Sequence, residues 1–248
     1  MRIAGIDPSI RSSGKVIMTL NDDTFDIESV DYYGYNDTLI DQVSIDHLRI
    51  FSVGTDYDKL SIVEREDRAF AVLDVDMEDV KYVSFEDYAY DEANHKGSNA
   101  IFQMGEFCGG IRRHFYLQGK GIITYGIPQI KHFATGSGSA KKPAMCEAVR
   151  EYFPQFYLPY FDTFPKQYES PHADLCDAFW MCEILRNHIK YDILGPESLS
   201  DETRTLMEYT YHGHDSRSLV DYQLITRPTE PIDIMSLGKR KSKKSSKK

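Results

Sequence analysis

MRIAGIDPSIRSSGKVIMTL, residues 1–20, reads as two strands joined by a tight polar turn. Ile3-Ala4-Gly5-Ile6 is an apolar run, and Lys15–Leu20 has the look of a second strand. Pro8, Ser9 and Ser12-Ser13-Gly14 supply the bend between them. Asp7 is the misfit. A carboxylate at the end of a buried strand costs several kcal/mol of desolvation unless something compensates it. Two readings fit: Asp7 caps the turn, or it belongs to a set of acids that share a positive partner.

Outward from this hairpin, the pattern gives a mixed sheet with helices on both faces, an α/β arrangement. Phe25–Tyr35 is a third, tyrosine-rich strand, and Asn36–Thr55 reads as irregular. Tyr57–Asp74 has helical spacing, with Leu60, Val63, Phe70 and Leu73 on one face. Val80–Tyr90 is the fourth strand, Ala100–Leu117 a helix and Gly121–Tyr125 the fifth strand. Residues 126–142 read as a Gly/Ser-rich loop carrying Lys131, Lys141 and Lys142. Helices follow over Pro143–Phe153 and Ala173–His188, separated by an aromatic irregular stretch. The chain from Ile193 to Gly238 resists assignment.

Composition narrows the class. The chain has 248 residues, 41% of them hydrophobic, which is enough for a substantial core and excludes wholesale disorder. No apolar run approaches the roughly 18 residues of a membrane span, so no membrane partner is expected. No basic stretch followed by an apolar one opens the chain, so an intracellular protein is expected. Cys108, Cys146, Cys176 and Cys182 lack C-x-x-C spacing, which predicts reduced, buried thiols and no zinc site. His212-Gly213-His214 reads as a solvated loop.

Charge is unevenly spread. The net charge is −10, yet residues 239–248, KRKSKKSSKK, carry seven basic side chains and no acid. The body is therefore strongly acidic. The tail reads as a disordered basic strip, either a solubilising end or a contact for nucleic-acid phosphates.

Three further acids sit where apolar surroundings make them expensive. Glu86 ends the apolar part of the fourth strand. Asp174 and Asp177 open the last apolar helix three residues apart, on nearly the same face. Acids at a helix start also cap free N–H groups and offset the macrodipole, which accounts readily for one of the pair. Gathered with Asp7, the four cannot all stay ionised without divalent cations. The chemistry that wants such a set is phosphodiester hydrolysis with two bound metals about 3.5–4 Å apart. Oxygen donors suit two Mg²⁺ ions per site, with Mn²⁺ able to substitute.

The stretches RIAGIDPSIRSSG, FEDYAY, SNAIFQMGEFCGGIRRHF, IPQIKHFATGSGSAKKPAMCEAV and HADLCDAFWMCEI fall in the order and spacing of a known family. The chain resembles the RuvC-like Holliday junction resolvases, ribonuclease H-like endonucleases of bacteria and phages. The resemblance covers most of residues 1–190. It implies a ribonuclease H-like fold with a mixed five-stranded sheet, and Asp7, Glu86, Asp174 and Asp177 as catalytic and metal-binding residues. It also implies Mg²⁺ dependence, a homodimer that nicks two opposed strands symmetrically, and a cytoplasmic setting in a bacterial or phage-infected cell.

By the same resemblance Lys131, Lys141 and Lys142 face DNA. Tyr88 and Tyr90, just past Glu86, fit two roles equally well, stacking on bases at an opened crossover or packing in the core. The expected layout is a nuclease domain over residues 1–192, a C-terminal extension over 193–238 and the basic tail. Three other functions compete with this one. A broader flap and fork endonuclease shares the chemistry. An actin-like ATPase or kinase needs a second phosphate hairpin, which FCGGIRR lacks. A non-catalytic junction-binding protein has no use for all four acids.

Overall fold

The computed structural model describes residues 1–36, 42–52, 56–87, 98–164 and 166–212. Side chains of β1 (Arg2–Asp7) alternate between two cores, as the period of two in a strand requires. Ile3 joins one buried cluster, whereas Ala4 and Ile6 join the other. β2 (Ser12–Leu20) pairs antiparallel with β1, and β3 (Ile27–Asn36) antiparallel with β2. On the other side β6 (Val80–Glu86) and β7 (Gly121–Tyr125) add in parallel.

The sheet has seven strands, not the five expected, in the order β4-β5-β3-β2-β1-β6-β7. The additional pair, β4 (Val43–Ile45) and β5 (Leu48–Ser52), falls in the stretch that reads as irregular. Leu48 and Ile50 alternate inward and are fully buried. Their connection turns at Asp46 and His47, the latter at φ 62°, so the usual Gly or Asn hairpin signal is absent.

One face of the sheet is covered by α1 (Ile62–Leu73) and α2 (Ser98–Leu117), which bring Leu73, Phe107, Ile111 and Phe115 onto Ala4, Ile6 and Phe85. Ser61 and Glu64 form a reciprocal capping box at the start of α1. The buried stripe of α1 runs through Ala69 and Leu73. Val63, expected inside, is 68% exposed.

The opposite face carries α3 (Ile127–Thr135), α4 (Lys142–Tyr152), α5 (His172–Leu194) and α6 (Asp201–His212). α3 occupies most of the expected loop. Pro128 stands in its first turn, where a missing N–H costs nothing, and Gly136 at φ 73° ends it. Ile130, Phe133 and Ala134 are buried beneath.

α5 is the spine of this layer and lies directly over β1 and β2. A Cβ on Gly5 would stand 2.3 Å from the Ala178 carbonyl oxygen, so the strand and helix meet only because residue 5 has no side chain. Leu199 and Met207, both past residue 192, join the same core. Tyr88 and Tyr90, the tail over 239–248 and most of the expected extension lie outside the described residues. No helix of the described residues is long and apolar enough to cross a membrane.

Candidate active site

Strand parity sets the floor of the site. Gly5 and Ser84 face α5; the Ser84 hydroxyl donates to the Met181 carbonyl at 2.7 Å. Asp7 and Glu86, two residues further on, therefore face α5 as well. β1 and β6 run parallel with Gly5 opposite Ser84 and Ile6 opposite Phe85. Continuing that register places Asp7 and Glu86 side by side at the carboxyl ends of adjacent strands. Asp174 in the first turn of α5, and Asp177 one turn on, overhang them.

The four acids feel one another. Burial raises Asp7 well above the usual carboxylate range, and Asp177, Asp174 and Glu86 raise it further. Glu86 is pushed up to about 7 by burial and then by Asp177, with Lys131 and Lys142 opposing. Asp177 is pushed up to about 6 by burial, with Lys142 and Lys131 opposing and Asp174 adding. Burial alone would lower Lys142, but Asp174, Asp177 and Asp7 outweigh it and raise its pKa.

Lys142 stands at the first position of α4, half-exposed, with Nζ 3.6 Å from Asp174 Oδ1. Lys131 is on α3 rather than a loop. It lines a small cleft with Glu86, Asp177, Ile127, Ile130, Met145 and Met181. Lys141 is exposed just ahead of α4. The structure thus brings Asp7, Glu86, Asp174, Asp177, Lys131 and Lys142 to one end of the sheet.

No family model matches the sequence, and no curated protein does. Solved structures do. RuvC of Thermus thermophilus in complex with a Holliday junction substrate matches at 18% identity and a TM-score of 0.50, covering 79% of this chain and 96% of that one. The fold is that of RuvC. Another structure of T. thermophilus RuvC gives 19% identity and 0.46 over 79% and 97% of the two chains. The yeast mitochondrial Holliday junction resolvase Ydc2 gives 10% and 0.49 over 79% and 82%.

Within this RuvC fold, the turn after Asp7 is pinned by groups that sequence reasoning missed. The Tyr35 hydroxyl donates to the Ser9 carbonyl, and the Tyr57 hydroxyl to the Ile10 carbonyl. Ser13 Oγ also donates to Ser9 O, at 2.8 Å. Tyrosine enrichment near a polar turn was the available signal, but it does not say where a hydroxyl will reach.

The donor set of the four acids suits hard cations, since all its ligand atoms are oxygens and their mutual repulsion is only partly offset by two lysines. A second group was also missed. Ligand atoms of Cys146, His172 and Cys176 lie within 4.8 Å of one another, the one trio so close among the described residues. The four acids stand wider and are coupled through their charges. His172 Nδ1 already accepts the Tyr168 N–H at 3.3 Å, and its ring packs among Phe161, Phe164 and Tyr168. These contacts make it a packed core histidine.

Proposed function

We propose that this chain is a divalent-cation-dependent endonuclease that resolves four-way DNA junctions. The observation that carries this reading is the convergence of four acids from β1, β6 and α5 at the strand ends of a RuvC fold, three of them with raised pKa values. An acid cluster this uncomfortable is built for positive charge. When bound, two Mg²⁺ or Mn²⁺ ions would supply an activated water and stabilise the departing 3′ oxygen.

Asp7, Glu86 and Asp177 would hold the cations, with Asp174 beside them. Lys131 and Lys142 border the acids and give a backbone phosphate a cationic rim on an otherwise acidic body. Lys141 extends that rim onto solvent. A homodimer would present two such sites and allow paired, symmetric nicks. The RuvC relative solved with a Holliday junction substrate favours a branched substrate over linear duplex.

An actin-like kinase gains nothing from the structure. Phe107-Cys108-Gly109-Gly110 lies in the middle of α2 and forms no phosphate hairpin.

The deciding experiment is a cleavage panel in Mg²⁺ with linear duplex, flap, fork and mobile four-way junction, mapping nicks on every strand. Symmetric nicks confined to the four-way junction are expected. Cleavage of flaps and forks at equal rates would replace the reading by a general branch nuclease, and no cleavage of any substrate would end it.

A further inference from the structure

Asp174 is held differently from the other three acids. Its side chain is only 7% exposed, and both oxygens are already engaged. Oδ2 accepts the Ser12 hydroxyl, while Oδ1 accepts the Ser170 hydroxyl at 2.9 Å and faces Lys142 Nζ at 3.6 Å. Buried Asn36 donates Nδ2 to Ser12 Oγ at 3.4 Å, which leaves the serine proton directed at the carboxylate. Among the described residues no hydrogen-bond donor contacts the Asp7, Glu86 or Asp177 carboxylates. Each Asp174 oxygen, by contrast, already carries a hydroxyl donor.

Resting on the endonuclease reading, we infer that Asp174 is the anchor of Lys142 and not a cation ligand. The cation set is Asp7, Glu86 and Asp177. Ser12 on β2 and Ser170 ahead of α5 clamp Asp174 from two sides, and Asp174 holds the Lys142 ammonium at the rim of the acids, where it meets a phosphate oxygen. A cation drawn to Asp174 would have to compete with a hydroxyl donor at either oxygen and approach an ammonium group. Asp174 is thus a positioning residue acting through Lys142.

The test is Mn²⁺ titration of the full chain by calorimetry, beside junction affinity measured in EDTA. Asp177→Asn is expected to weaken Mn²⁺ binding at least tenfold, and Asp174→Asn by less than threefold. Asp174→Asn and Lys142→Gln are each expected to weaken junction binding, with the double variant no worse than Lys142→Gln alone, a coupling that a merely structural role would not give. If Asp174→Asn does not fold, Ser170→Ala reads the same effect: unchanged Mn²⁺ affinity with weakened junction binding. Loss of Mn²⁺ affinity in Asp174→Asn equal to that in Asp177→Asn overturns the inference and leaves the nuclease standing. A parent chain that takes up no Mn²⁺ overturns both.

Discussion

Gly14 on β2 lies so close beneath Asp174 that a Cβ at residue 14 would stand 2.2 Å from the Asp174 carbonyl oxygen. The atom in the way is backbone, so no rotamer change relieves the clash. Gly14→Ala must lift the first turn of α5, the turn that carries Asp174 and leads into Asp177. Overpacking of this kind costs about 1–3 kcal/mol, and a backbone obstacle puts it at the upper end. Chemical denaturation should show that loss together with a disproportionate loss of cleavage. Gly105→Ala on α2, where an added Cβ would meet no atom of the described residues within 4 Å, is the contrast and should gain about 0.5–1 kcal/mol from helix propensity.

The raised acids predict an unusual pH dependence. Asp7 is raised, Glu86 sits at about 7 and Asp177 at about 6. A carboxylate raised on folding keeps its proton in the native state after the unfolded chain has lost it. Stability from these groups is therefore present at low pH and falls as pH rises from about 4 to about 7. Melting of the cation-free protein should show this decline, and Asp7→Asn should flatten it. Mg²⁺ should raise the melting temperature at pH 8 and scarcely at pH 5, where protons compete. Equal cation-induced shifts at the two pH values would separate the acids from cation binding.

The Asp7 turn offers a second handle. Tyr35→Phe and Tyr57→Phe each remove a hydroxyl from a backbone carbonyl of the turn, a loss of about 1 kcal/mol apiece. Because Ser9 and Ile10 lie two and three residues past Asp7, turnover should fall several-fold more than junction affinity does. Steady-state cleavage beside binding in EDTA separates the two quantities.

Much of this was legible in the sequence because it rests on strict local periods. The alternation in residues 2–7 assigns Asp7 to a face, and the three-residue spacing of Asp174 and Asp177 stacks them on one helix. What failed had no local signature. The β4–β5 hairpin turns on His47 in a left-handed conformation, and α3 hides behind Pro128 and the glycines that follow it. Ser12 and Ser170 reach Asp174 across 162 and four residues, and no spacing rule announces a hydroxyl aimed at a carboxylate.

The basic tail predicts a salt-dependent effect that is separable from chemistry. Deleting residues 239–248 removes seven positive charges from an acidic chain. If the tail contacts phosphates, junction affinity falls most at low salt, and the slope of log affinity against log salt drops by about 0.9 for each lost duplex contact. The cleavage rate at saturating protein should not change. A binding curve identical to the parent's would reduce the tail to a solubility element.

Asp7→Asn is the sharpest test of the chemistry, since it changes one oxygen to an amide nitrogen and little else in shape. Asp7 is the acid on which all the others act, with Asp177, Asp174 and Glu86 each raising its pKa. Neutralising it relieves their repulsion, so the variant should melt at or above the parent temperature without cations. It also removes a negative charge that faces incoming phosphates, so junction binding in EDTA should hold or tighten. Cleavage in Mg²⁺ should nevertheless fall by at least about a thousandfold, because the cations lose a carboxylate ligand that the chemistry needs. A stable variant that binds the junction but does not cut it assigns Asp7 to the chemistry. One that cuts at the parent rate moves the active site elsewhere.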